Sequence, residues 1–134
     1  MKPARLAATV LAALALSACA EPGASLAPAG PGVVDIVLDA SDDSTGALVL
    51  TISGGRVDSV SAVQGAVYSE MTAAGASVLV SGTMAPGTVV ARIHVPDVTT
   101  VSGYRVSGVE AANRLSFAQR AAGSWSLRAV PAAP

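Results

Sequence analysis

One thiol, one imidazole and one tight group of carboxylates are the side chains of this 134-residue sequence best suited to chemistry. Cys19 closes the stretch Leu16-Ser17-Ala18-Cys19 at the downstream edge of an apolar run. It is a small core residue, a nucleophile, or a point of cleavage and attachment. Being alone, it cannot close an internal disulfide, so the folded part must be held by burial and hydrogen bonds. His94, in Ile93-His-Val-Pro-Asp97, is the only histidine. It would act as a general base only beside a nucleophile and an orienting acid. With no nucleophile elbow, phosphate-cradling loop or second histidine, it reads as a solvated strand-end residue, and no catalytic residue is assigned.

Asp39, Asp42 and Asp43, in DASDDSTG, are the metal candidates. Carboxylates this close suit a hard cation, and the alternation of Asp39, Ser41 and Asp43 is superficially that of a calcium loop. Ser44 replaces the sixth-position glycine, however, and Leu50 stands where the bidentate glutamate belongs. Asp and Ser also bond to their own backbone in turns, which needs no ion. No metal or other cofactor is therefore assigned. Tyr68, Tyr104, Phe117 and Trp125 are the only aromatic residues. A glycan-stacking row would need two or three of them exposed in line; otherwise they plug the core or its rim.

The composition, 51% hydrophobic and 13% charged, supplies one domain whose core is built from Val, Ala, Leu and Ile. Eight bases face nine acids, and loss of Lys2 and Arg5 with an N-terminal piece would leave six against nine. The remaining arginines are scattered, which excludes nucleic acid as a partner.

Positioning begins at the N-terminus. Met1 to Arg5 carry two positive charges and no acid, and Leu6 to Leu16 follow as an uncharged apolar segment too short to span a bilayer. Residues 1–18 thus have the layout of a secretory signal. Leu16-Ser17-Ala18-Cys19 then resembles the lipobox of bacterial lipoproteins, with Leu16, Ser17 and Ala18 as the signal-peptidase recognition residues. The resemblance implies diacylation of the Cys19 thiol, cleavage before it, and acylation of the new amino terminus. Two or three acyl chains hold a protein durably at a membrane, where one would bind reversibly. Ala20, where an aspartate would signal retention, implies the outer membrane over the inner one.

Residues 19–32 form the lipidated start and a linker whose Glu21 to Gly32 portion, EPGASLAPAGPG, reads as a flexible spacer. Residues 33–130 form the folded domain, and 131–134 a frayed end. Short Val/Ile/Leu runs separated by Gly, Ser, Asp and Pro at roughly ten-residue intervals predict an all-β sandwich, Ig-like or cohesin-like. Strands are expected at Val33–Asp39, Ala47–Ser53, Val57–Val63, Ser77–Ser81, Val89–Val95, Arg105–Val109, Arg114–Ala118 and Ser124–Val130. Val89, Ala91, Ile93 and Val95 should share the core face, as should Leu48, Leu50 and Ile52, while Trp125, Leu127 and Ala129 anchor the last strand. Glu110 to Asn113 is compatible with a helical turn.

Gly46 to Gly65, GALVLTISGGRVDSVSAVQG, followed by Gly87 to Val95, GTVVARIHV, resembles the segment order of cohesin and carbohydrate-binding-module-like sandwiches. Ser53-Gly54-Gly55 replaces the aromatic-Asp pair common in that family. The function expected is that of a membrane-anchored envelope lipoprotein serving as a non-enzymatic protein-interaction or scaffolding module. Its partners would be the membrane, through lipid on Cys19, and an envelope protein or glycan. The competing expectations are a carbohydrate- or dockerin-type binding module, and then a small hydrolase built on His94.

Overall fold

The computed structural model describes residues 30–133. The chain is all-β there, with eight strands: β1 Gly32–Ala40, β2 Thr45–Ser53, β3 Ser59–Ala62, β4 Ala66–Thr72, β5 Gly75–Met84, β6 Val89–Val95, β7 Arg105–Asn113 and β8 Trp125–Pro131. The only helix among the described residues is a 3-10 helix, Val98–Gly103. No helix among them is long and apolar enough to cross a membrane.

Two four-stranded antiparallel sheets pack face to face. Their strand orders are β3-β6-β1-β8 and β4-β5-β2-β7. Alternation explains the layers, because side chains two apart on a strand share a face. In β2, Leu48, Leu50 and Ile52 are buried while Thr51 and Ser53 are exposed. In β6, Ala91, Ile93 and Val95 enter the core as expected, and Val90 is buried as well. With Val34, Ile36, Leu38, Val78 and Val80 these form one core, each large side chain contributing roughly 1.5–3 kcal/mol on burial. Trp125, Leu127 and Ala129 pack against that core but stay partly open, so Trp125 anchors from the rim.

Three sequence expectations are corrected. Arg114–Ala118 is not a strand: Asn113 Oδ1 accepts the backbone N–H groups of Leu115 and Ser116, at 2.8 and 3.1 Å, and Asn113 O accepts that of Phe117, at 3.0 Å. That local bonding holds a turn where pairing was expected. Glu110 to Asn113 is not a helical turn, since it lies in β7 and pairs with Thr45, Ala47, Leu48 and Val49 of β2. The expected Val57–Val63 strand shrinks to the four residues of β3. Sequence reading also overlooked β4, whose core-side position opposite Val78 holds Ser69 and so breaks the apolar alternation.

The elements have a clear polarity. Gly32, the 3-10 helix and the end of β8 lie at one end, where Gly32 pairs with Val95 and Val34 with Pro131. The β1–β2 turn and the segment after β7 meet at the other end, where the Arg114 N–H donates to Ser44 O at 2.6 Å. A nine-residue β1 separates the two ends by about 30 Å.

Candidate functional site

The outer faces of the two sheets differ in chemistry. On the β3-β6-β1-β8 sheet, Asp35 and Arg92 are cross-strand partners joined at 3.1 Å, and Arg128 pairs with Asp39 at 2.9 Å. Among the described residues, the exposed large apolar side chain nearest that sheet is Val63, just past the end of β3. The β4-β5-β2-β7 sheet is the reverse. Tyr68 on β4 lies opposite Leu79 on β5, and Leu79 lies opposite Val49 on β2. These three form a lateral row on the face opposite Leu48 and Leu50, which ends on β7 at the exposed Glu110. Tyr68 is 72% exposed and Leu79 42%. The next cross-strand row is Ala66, Ser81, Ala47 and Ala112.

Phe117 stands at the far side of this face. It lines two adjoining hollows of about 210 and 360 Å³, with Ala47, Val49 and Ala112 in the first and Gly46, Ala47 and Gly82 in the second. Phe117 is 84% exposed and has φ 59°, the left-handed region that large side chains avoid. The turn that imposes this is well bonded. Besides its Asn113 contacts, the Asn113 N–H donates to Ala118 O at 2.8 Å. The protein thus holds an aromatic ring out to water in a strained conformation, together with the exposed Leu115.

The expected metal candidates do not converge. The Asp42 carboxylate accepts the Ser44 N–H at 2.9 Å and the Ser44 hydroxyl, and pairs with Arg120 at 2.9 Å. Ser44 foremost, then Arg120, hold that carboxyl below the usual aspartate range. Asp39 faces Arg128, and Asp43 is exposed. Among the described residues, no three His, Cys, Asp or Glu side chains are grouped closely enough to hold a metal ion. The Asp-Ser turn is instead tied down by a cation: Arg120, with 5% of its side chain exposed, donates to Asp42, to Ser44 Oγ and to the buried Thr45 Oγ1 at 2.6 Å.

His94 is half-buried on the outer face of β6, between Val33 and Ser59 on the flanking strands. It lines a shallow hollow with Asp35, Ser61 and Arg92. The Asp35 carboxylate is taken by Arg92. Asp97 is taken by the 3-10 helix, whose Thr99 N–H it accepts at 2.8 Å; the hydroxyl and N–H of Thr99 hold its carboxyl below the ordinary range. Among the described residues, no carboxylate reaches ion-pair distance of the imidazole.

Tyr104 is buried, and its hydroxyl donates to Arg56 O beneath Gly55; burial pushes the phenol upward. Of the aromatic residues expected to plug the core or rim, Tyr104 and Trp125 do so, whereas Tyr68 and Phe117 face water. Sequence reasoning missed that Tyr68 and Phe117 are both exposed at this face because β4 was not recognised and Phe117 was assigned to a strand. Cys19 and its recognition residues Leu16, Ser17 and Ala18 lie outside the described residues. No known protein family matches the chain, and no curated protein or solved structure is similar to it at a significant level.

Proposed function

We propose that this protein is a lipid-anchored envelope lipoprotein whose β-sandwich is a non-enzymatic protein-interaction module. The anchor rests on the sequence alone: a basic start, a short apolar segment and Leu16-Ser17-Ala18-Cys19. The observation that carries the interaction reading is an apolar strip on the outer face of the β4-β5-β2-β7 sheet, Tyr68, Leu79, Val49 and the neighbouring Ala47 and Ala112, with exposed Tyr68 and Phe117 at its ends and Glu70, Ser77 and Thr51 in the polar row beside it. Isolated apolar residues on a surface are ordinary, but a contiguous patch opposite an ion-paired face marks a contact surface. Aromatic anchors are the side chains that most often dominate such contacts.

The geometry of the ends suits display. The chain enters at Gly32 at one end of the sandwich, and Leu115 and Phe117 lie about 30 Å away at the other, so an anchor at Cys19 would turn them away from the membrane. A glycan is the second reading. Tyr68 and Phe117 are separated by two to three strand spacings, roughly 10–15 Å, with Ser81 and Ala47 between them. Such a span would let two rings stack on one chain of sugars.

Photo-crosslinking in cells tests the interaction reading, with the probe placed at Leu79 or Phe117 and, as a control, at Arg92 on the ion-paired face. Adducts confined to the first two positions are expected. Equal labelling from Arg92, or none from any position, would contradict it. Binding of the purified domain to polysaccharide but to no protein would favour the glycan instead.

A further inference from the structure

A second feature lies beside that face, on the outer edge of β7. The chain itself begins to add a fifth strand there. The Arg120 N–H donates to Ala111 O at 2.7 Å, the Asn113 N–H donates to Ala118 O, and Ala112 and Gln119 form an antiparallel bridge. The chain then turns away at Ala121–Gly123, where the Ser124 N–H donates to Ala121 O and Gly123 takes φ 84°, and enters β8 of the other sheet. Val106 to Glu110 are left with β2 on one side and, among the described residues, no backbone hydrogen bond on the other.

That open edge lines a groove of about 440 Å³. One wall is the run Val106–Ala111, the other is Trp125–Leu127 of β8, and Gln119 and Arg120 close one end. Gly108 lets Trp125 pack against the strand, since a Cβ there would collide with the indole. A bulge in β7, opposite Val49 and Leu50 of β2, leaves Val109 as an extra residue, 55% exposed, on the lip. The groove runs for five to six strand residues, about 15–20 Å.

We infer that this groove receives an extended polypeptide segment of a partner protein, laid antiparallel along Val106–Glu110 as a continuation of the Ala112–Gln119 bridge. The occupant is a peptide because the groove offers a row of backbone groups with no backbone partner among the described residues, on an edge whose next positions are already paired by backbone at Ala111 and Asn113. The Trp125–Leu127 wall gives apolar contact for alternate side chains of the incoming strand. Strand addition of this kind draws affinity from main-chain hydrogen bonds and specificity from pockets for every second side chain. The groove adjoins the smaller hollow beside Phe117, with which it shares Glu110, Ala111 and Gln119, but the inference rests on the backbone edge of β7 and not on the apolar strip.

The test is amide hydrogen exchange on the complete folded domain, with and without a short capped peptide of alternating valine and threonine flanked by lysines. The expected result is exchange slowed roughly tenfold within Val106–Glu110 at saturating peptide. The same peptide N-methylated along one edge should have no effect. Ala122→Trp, which fills the closed end of the groove from a loop, should abolish the protection while leaving the rest of the exchange map unchanged. Protection appearing only on β4, the other long edge of that sheet, would overturn the inference. So would no protection at all, or protection without peptide accompanied by a dimer in sedimentation, since a second copy would then be the occupant.

Discussion

Arg120 shows how one side chain can settle the use of several others. Its buried guanidinium spans the Asp-Ser turn and the segment after β7, so the carboxylate at Asp42 answers an arginine. Removing it in Arg120→Ala would leave Thr45 Oγ1 buried without its donor and cost roughly 2–3 kcal/mol in urea unfolding. Most of that loss comes from the buried hydrogen bonds, because Asp42 itself is half open to water. Asp42 and Asp97 also set an acid limit. Hydrogen bonds from Ser44 and Thr99 depress both carboxyls in the folded state, so the unfolded chain takes up protons first as pH falls. Their stabilisation is complete above the ordinary aspartate value of about 3.9 and is lost below it, through the lower folded values. Thermal melting between roughly pH 2 and 6 should show this decline, and Asp97→Asn should flatten it. Phe117 is the opposite case, a residue whose geometry opposes stability. Phe117→Gly should raise the unfolding free energy by up to about 1 kcal/mol, because glycine accepts the left-handed backbone and the exposed ring gives up little packing. The same change should weaken the crosslink expected from a probe at Leu79.

At the scale of elements, period-two alternation was enough to locate β1, β2, β5, β6 and β8, because their inward positions are filled by Val, Leu, Ile and Ala. The pattern misled where apolar residues serve the surface. Arg114-Leu-Ser-Phe-Ala118 alternates like a strand, yet Leu115 and Phe117 are among the most exposed side chains described, held there by Asn113. β4 fails in the other sense, with Ser69 facing inward and Tyr68 outward. The two rim aromatics of the candidate site therefore came from the two segments whose alternation was least faithful. The Asp-Ser turn was legible, since Asp followed by Ser two residues on is a local device. Its tie to Arg120, 78 residues away, was not. Packing between β7 and β8 carries its own test. Gly108→Ala drives a methyl group into Trp125 and should cost about 1–3 kcal/mol, visible as a lower melting temperature and altered Trp125 fluorescence.

For the whole molecule, the two faces and two ends divide the work. One face carries the Asp35–Arg92 and Asp39–Arg128 pairs, the other an open apolar strip among polar rows, and the chain enters at the end away from Leu115 and Phe117. The proposed display from a membrane requires the entering end to be anchored, which makes Cys19 the residue on which that proposal depends. Intact mass of the membrane-extracted protein, wild type against Cys19→Ala, tests this most directly. The account predicts a wild-type chain that starts at Cys19 and carries acyl mass, and a Cys19→Ala chain that keeps residues 1–18 and carries none. A wild-type product that is cleaved, unacylated and freely soluble would contradict it.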